Sequence, residues 1–560
     1  MKPLQRNLNA LSSKEYDLVI VGGGIFGVCA AWDAALRGLS TAIVEKGDFS
    51  HATSANHFKM VHGGIRYLQH GDISRIRESS RERSALLRIA PHLVQPLPIV
   101  IPTYGHGLKG KPLLGAGMLL YDILTMDRNC GVQRERRIPW GKFISREEVL
   151  TLFPGVKEEG LTGGAVFYDG QIYNPPRLAI SFLRAAVDRG ADAANYLEVT
   201  DFLKKNDRVL GVKAQDVLSK EQLEIQGKCV LNAAGPWAHR LLKNKLQLQL
   251  TSAPTFSRDL AFVVNRPVNH RHAVAFSTES GDADTIMDRG GRHLFAVSWR
   301  NYMLIGVWHV VFRGAPEHVT VSSAEMKDFV DEVNLAYPGL NIQPDEISII
   351  NMGLTLFGEE GRQNSRKMSF GKRSILIDHA REHALKGLVT LIGVRATIAR
   401  GMAEKAVDLV LKKLGRKHIK SKTGLTPIYG GQIGSFSTLL NDALRNKPPG
   451  LNTVQITALV KNYGSQYSQI LRYGDADPTG FQSIGNSTVI KAEIIHAVRE
   501  EMAERLTDVV FRRTDLGTGQ IPEERVLQDC AKIVATQLGW DKKRQHSEIL
   551  DVQRAFHTLN

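Results

Sequence analysis

Between residues 16 and 45 the spacing of apolar positions changes twice. Tyr16–Val21 is a nearly continuous apolar run, the pattern of a strand buried on both faces, and it closes on Gly22. Over Ile25–Leu36 apolar residues recur at helical spacing, and Gly38 supplies the stop. Thr41–Val44 returns to strand character and ends in Glu45. Two later stretches repeat the theme. Residues 228–238 read as a buried strand followed by Ala-Ala-Gly-Pro-Trp, and residues 387–415 as a strand, a glycine turn and a long amphipathic helix. Residues 246–355 instead alternate apolar and polar in short runs (LAFVVNRP, HLFAVSW, NYMLIGVWHVVF), which predicts an antiparallel sheet. Beyond a linker reading SKTGLTPIYGGQIGS, residues 425–560 are expected to form a helical domain.

Composition narrows the class. A chain of 560 residues has room for about two to four domains and a large core. Its 43% hydrophobic and 23% charged fractions are ordinary for a globular protein. Cys29, Cys130, Cys229 and Cys530 show no CxxC spacing, which argues against a disulfide framework or a zinc site and fits a reducing cytoplasm. The 72 Lys and Arg against 57 Asp and Glu leave a charge of +15, which favours an anionic partner. No nucleic-acid-binding pattern accompanies that charge, so nucleic acid is not expected. No secretory h-region or apolar run of spanning length is present, while peripheral membrane attachment stays open. Residues 107–142 matter here, because they set an apolar segment beside Arg134, Arg136, Arg137 and Lys142.

The first turn carries chemistry. Gly22, Gly24 and Gly27 spell G-x-G-x-x-G where the strand meets the helix. Gly22 allows the tight turn, Gly24 lets backbone approach a pyrophosphate, and Gly27 allows close helix–strand packing. The helix start offers N–H groups to the phosphates. Glu45, eighteen residues after Gly27, can accept both hydroxyl protons of an adenosine ribose. The whole order, strand to acid, points to dinucleotide binding. An N-terminal fingerprint with later returning segments favours FAD over NAD. Ala234, Gly235 and Trp237 in the first return, and Gly393, Arg395 and Thr397 in the second, are the candidate contacts.

The stretch HFKMVHGGIRYLQHG, residues 57–71, is undecided on composition alone. With the preceding residues it carries a resemblance. GDFSHATSANHFKMVHGGIRYLQHG is similar to the A-T-S-S-x-S-S-K-L-I-H-G-G-L-R-Y-L of the respiratory, FAD-dependent glycerol-3-phosphate dehydrogenases, within the D-amino-acid-oxidase-like flavoproteins. RERSALLRIAPHLVQPLPIVIP, YDGQ, NAAGPWA and two C-terminal helical stretches extend the likeness over nearly the whole chain. The resemblance implies that Thr53, Ser54, Lys59, His62, Gly63 and Gly64 contact the flavin, with His57 and His70 left as ordinary packing or exposed histidines. The implied fold is α/β. It comprises a glutathione-reductase-type, Rossmann-like FAD domain over 15–100, 160–245 and 365–417, an antiparallel β substrate cap over 246–355, and an all-α C-terminal domain over 425–560. Peripheral membrane attachment, a quinone acceptor and room for a homodimer come with the family.

The substrate side departs from that pattern. Thr355 stands where the family's G-V-R-P-L has arginine, and Ala261 where K-G-S-H has histidine. G-T-T-D becomes Gly306-Val307-Trp308-His309, and the lysine of G-G-K-x-T-T-x-R becomes Arg395. Either Arg395 and another basic side chain regroup around the same phosphate, or the substrate is a larger, less charged alcohol walled by Trp308 and Phe357. The missing arginine fork favours the second on chemistry. The expected reaction is oxidation of a secondary alcohol by hydride transfer to flavin N5. His309 is the expected base, an imidazole being able to accept a proton at cellular pH, and His62 the next candidate. Arg395 would steady the reduced flavin or bind an acidic substrate group. An amine or amino-acid oxidase, and a non-catalytic FAD-binding protein, remain as alternatives.

Overall fold

The structure is a computed structural model that describes residues 2–105, 111–248, 250, 253–268, 270–278, 293–359 and 373–556. The His70 side chain, residues 107–110 of the basic segment and residues 365–372 of the expected third FAD segment lie outside the described residues.

One sheet runs in the order Ile375–Asp378, Leu388–Ile392, Gln222–Asn232, Tyr16–Val21, Thr41–Val44, Asp192–Ala194. All neighbours are parallel except the antiparallel edge Ile375–Asp378. Alternation along the strands sorts its two faces. Leu18, Ile20 and Ile43 pack with residues of helices Ile25–Leu36, Pro175–Asp188 and Ala399–Lys413. Val19, Val21, Ala42 and Val44 pack with Leu197, Phe202, Val209 and Val212 of the hairpin Leu197–Lys205 and Arg208–Asp216. The near-continuous apolar runs are thus buried on both sides, as a parallel sheet requires.

The second sheet runs Ile347–Glu359, Pro254–Val264, Tyr302–Phe312, His293–Trp299, Ala273–Ser277, Val94–Tyr104, Leu161–Ile172, Met60–Val61, with Lys142–Ile144 also on Leu161–Ile172. Only the pairing of Ala273–Ser277 with Val94–Tyr104 is parallel. The antiparallel expectation for 246–355 therefore holds in kind, but the sheet draws four strands from earlier in the chain. Those residues have strand propensity whichever sheet takes them, and pairing is decided by tertiary contacts. Helix Ser323–Ala336 covers one face through Phe329, Val330 and Val333. The other face gathers Ala261, Val263 and Trp299 with Phe58, Met60 and Phe167.

The C-terminal part is helical, from Phe436–Arg445 to Lys542–Phe556, with two apolar cores.

Candidate functional site

A cavity of about 860 Å3 lies between the ends of the parallel strands and the inner face of the second sheet. Gly22 sits at one end, with φ 109°, a left-handed value that favours glycine. A methyl group there would come 2.6 Å from the Ala233 carbonyl oxygen, so the two strand ends approach only because it is absent. Gly24 caps helix Ile25–Leu36, and a methyl group on it would meet only Ser54 Oγ, at 3.0 Å, on the cavity side. Ile25 N donates to Ser54 Oγ at 2.9 Å. Glu45 is buried and borders the cavity, accepting from Gly23 N at 2.6 Å and Gly47 N at 2.9 Å. A carboxylate has about four acceptor positions, so capacity remains for ribose hydroxyls.

Thr53, Ser54, His62, Gly64, Ala234, Gly235, Trp237, Gly393, Arg395 and Thr397 all border the same cavity. Two expected flavin contacts, Gly63 and Lys59, do not, and neither does Gly27, expected to pack helix against strand. A methyl group on Gly27 would lie 1.9 Å from Gly22 O, so Gly27 serves the helix–strand contact alone. The space beside Gly63 is filled by Arg83 and the Tyr121 hydroxyl. Lys59, between the cavity-lining Phe58 and Met60, points the other way. Its Nζ lies 4.6 Å over the Trp299 ring and donates to Asn351 Oδ1 at 3.2 Å. Burial, with Arg300 nearby, lowers its ammonium to about 7. His57, expected to be ordinary, does border the cavity. Its Nδ1 accepts from Lys59 N at 3.0 Å, and burial, then Lys59, lowers the imidazole to about 3.

His62 N donates to Thr397 Oγ1 at 3.1 Å, joining the two glycine-containing turns. Its Nδ1 faces Asp169 Oδ2 at 3.3 Å, and Asp169 Oδ1 accepts from Gly63 N and Arg83.

Opposite, the second sheet presents Asp259, Ala261, Val307, His309, Gly353 and Thr355. His309 Nδ1 lies 2.7 Å from Asp259 Oδ1, which also accepts from Ser257 Oγ at 2.8 Å. Facing them are Arg66, Tyr67, Arg75 and Arg395, with Phe58, Phe167 and Phe295 as apolar wall. Arg395 donates to the Tyr67 hydroxyl; Arg395 and Arg75 lie 4.9 and 4.4 Å from the Tyr67 ring centre. Burial, then Arg75, weakens the hold of Arg395 on its proton, opposed by Tyr67. Among the described residues no carboxylate pairs with it. Trp308 and Phe357, expected as walls, are not on the cavity. Trp308 packs against Phe329 with ring centres 5.1 Å apart, and Phe357 is buried.

Comparison with known proteins bears on this arrangement. Residues 17–356 match the family described as FAD dependent oxidoreductase, and residues 421–545 the C-terminal domain of alpha-glycerophosphate oxidase. The glycerol-3-phosphate dehydrogenase of Synechocystis sp. is 31% identical over 522 residues, covering 91% of this chain and 90% of its own. The chain belongs to the FAD-dependent glycerol-3-phosphate dehydrogenase family. The aerobic enzyme of Bacillus subtilis is 30% identical, covering 99% of this chain and 96% of its own. The Bacillus halodurans glycerol-3-phosphate dehydrogenase, solved with FAD, shares the fold at TM-score 0.78 and 23% identity, covering 98% of this chain and 96% of that one. The protein is an FAD-dependent oxidoreductase, and its residues fit that cofactor: an open glycine turn at a helix start, with an acid at the next strand end.

Within this family, the altered positions Thr355 and Ala261 both fall on the cavity wall. Asp259 and Arg75 were not among the expected site residues, and Arg66 and Tyr67 fell only within a matching motif. A signal existed for the last two, which follow the Gly-Gly pair, after Ile65, in a stretch already assigned to the site. Asp259 and Arg75 had none, since only sheet register and helix packing bring them there.

Proposed function

We propose that the chain oxidises glycerol 3-phosphate, or a close phosphorylated polyol, at this cavity. One observation carries the reading: Arg66, Arg75 and Arg395 border the same space as the His309–Asp259 pair. Arg75 is already held by Asp72 at 2.6 Å, but the half-buried Arg395 has no carboxylate at ion-pair distance among the described residues, and an anionic substrate group supplies one. The arginines so placed favour regrouping around a phosphate over a less charged alcohol, the more so because neither Trp308 nor Phe357 walls the cavity. Gly22, Gly24, Glu45, Thr53, Ser54 and the two later turns hold the dinucleotide. Bound FAD supplies the hydride acceptor. The Arg395 fork and Arg66 orient the phosphate, and Phe58, Phe167 and Phe295 exclude water. Asp259 holds Nδ1 of His309, so that Nε2 can take the hydroxyl proton. His62, tied to Thr397 and Asp169, orients the wall beside the reaction.

Anaerobic bleaching of the flavin tests this. Glycerol 3-phosphate should bleach it at micromolar to millimolar concentration, with glycerol and amino acids ineffective. Bleaching by an amino acid, with hydrogen peroxide on admitting air, would establish the oxidase alternative instead, and a flavin that no substrate bleaches the non-catalytic one.

The acceptor is proposed to be a quinone met at a membrane surface. No helix among the described residues is long and apolar enough to cross a membrane. Helix Lys111–Leu124 buries Met118 and Tyr121 but exposes Leu113, Leu119, Leu120 and Ile123, beside exposed Met126, Trp140 and Phe143. Arg134, Arg137 and Lys142 are exposed nearby, whereas Arg136 is buried, donating to the Pro91 carbonyl, and does not join the rim. Basic side chains near an anionic bilayer add about 1 kcal/mol each. Sedimentation with anionic but not zwitterionic vesicles, abolished by Leu120→Glu, is the expected result. A dimer that ignores vesicles would mean that a second copy covers this face.

A further inference from the structure

The cofactor loop is held from outside its own domain. Residues Glu45, Lys46, Ser50 and His51 border the cavity, but Asp48, in their midst, turns its carboxylate away and is 1% exposed. There it meets the C-terminal domain. Arg513 Nη2 donates to Asp48 Oδ1 at 2.7 Å and Nη1 to Oδ2 at 2.8 Å, a two-pronged fork. Arg512 Nε adds a third bond to Oδ2 at 2.6 Å, and Asn195 Nδ2 a fourth to Oδ1 at 3.0 Å. Each arginine is anchored in turn. Arg512 Nη2 donates to Asp508 Oδ1 at 2.6 Å, and Arg513 Nε to the Glu501 carbonyl at 2.9 Å. The arginines hold the Asp48 carboxyl well below its usual range although burial opposes them.

The loop is stiff between this anchor and the cavity. Ser50 N donates to Gly23 O at 3.1 Å, and Glu45 accepts from Gly23 N, so the loop and the glycine turn are tied at two points. Tyr196 N donates to Gly47 O at 2.8 Å, and the Tyr196 hydroxyl to Asp508 Oδ1 at 2.6 Å, a second route to the same C-terminal turn. The next residues reach the other sheet: Arg300 pairs with Asp515 at 2.8 Å and donates to Thr518 Oγ1 at 2.7 Å. Residues 512–518 thus grip both halves that enclose the cavity.

We infer that Arg512 and Arg513 are positioning residues for FAD, so that the C-terminal domain sets cofactor affinity through Asp48 without touching the cofactor. This rests on the reading that the Glu45 loop holds FAD. A useful control exists. Arg37 and Asp33 form an equally buried ion pair at 2.7 Å that shares no bond with Asp48 or residues 508–513, and neither residue borders the cavity.

The test uses the full chain freed of flavin, with FAD affinity read by the quenching of flavin fluorescence and folding by the melting temperature of the flavin-free protein. Arg513→Gln should weaken FAD by about tenfold or more, the usual effect of losing a group that orients a ligand contact. Arg37→Gln, at a similar loss of melting temperature, should leave affinity within about threefold of the parent, well short of that loss. If Arg513→Gln does not fold, Arg513→Lys and Arg512→Gln carry the same comparison. Affinity falling equally in the control, or staying within twofold in the arginine variants, overturns the inference. Glu45→Gln separates the two levels. Normal FAD binding by it would remove the underlying reading, while weakened binding beside a normal Arg513→Gln would remove the clasp alone.

Discussion

Lys59 offers a sharp test, because sequence and structure disagree about it. The Lys59→Met chain should keep its FAD and be more stable than the parent below neutral pH. Lys59 is 3% exposed, and among the described residues its one hydrogen-bond acceptor is a neutral amide oxygen. Burial lowers its ammonium from 10.5 to about 7. At 1.36 kcal/mol per pH unit, this is roughly 5 kcal/mol of lost preference for the charged form. The sign follows from proton counting. Between about pH 7 and 10.5 the unfolded chain binds the proton and the folded one does not, so stability from this group rises with pH in that window. Below 7 the full cost stands; at pH 9 about 2 kcal/mol of it remains, so the parent should gain roughly 3 kcal/mol on the variant from pH 6 to 9. Losing the bond to Asn351 costs the variant about 1–3 kcal/mol at every pH, which leaves a net gain at pH 6 and little at pH 9. Melting temperatures of the flavin-loaded proteins across pH 6–9, with flavin content by absorbance, make the measurement. A difference that does not change with pH would refute the burial argument, and a colourless variant would show that Lys59 contacts the cofactor after all.

Gly24→Val should give colourless, folded protein, because a side chain there enters the space beside Ser54 on the cavity; full flavin content would refute the placement of the pyrophosphate. Arg395→Ala should weaken the use of glycerol 3-phosphate by about ten- to a hundredfold, the value of a hydrogen bond to a charged group at about 1.5–3 kcal/mol. Its flavin content should not change, and unaltered steady-state kinetics would remove Arg395 from the phosphate site. His309→Asn and Asp259→Asn should each slow single-turnover flavin reduction by about 10²–10⁴-fold. A normal rate in the first would eliminate His309 as base, and a normal rate in the second alone would eliminate Asp259 as its positioning partner.

The cofactor end was largely legible because its determinants are local. Gly22 adopts a backbone conformation that favours glycine, Gly24 opens a helix, and Glu45 ends the next strand, all within the span of one strand–helix–strand unit. The parallel sheet was legible for the same reason, since runs buried on both faces need no knowledge of their neighbours. Nothing local marks Asp48, by contrast. Its arginine partners lie more than 460 residues away, and an aspartate in a turn is among the commonest residues there.

The substrate wall failed in a more instructive way, because side-chain parity along a strand predicts a face only while the register is unbroken. In strand Tyr302–Phe312, Leu304 packs with the cavity-lining Phe58 and Ala261, and Ile305 with the covering helix. Continued alternation would turn Trp308 to the cavity. The register instead shifts opposite Leu260 and Ala261: Ala261 pairs with Gly306 and Leu260 with Trp308, leaving Val307 as an extra residue. One extra residue reverses every side chain beyond it, so His309 is swung into the cavity beside Asp259 and Trp308 into the core. A second shift, between Thr255 and Phe256, leaves Phe357 between the paired Leu356 and Gly358 and ends the alternation that would set it beside Thr355. Both aromatics assigned to the substrate wall sit at such irregularities. The shift opposite Ala261 also carries the chemistry. The strand that holds alanine where the family has histidine lies opposite a bulge that delivers another histidine to the same cavity.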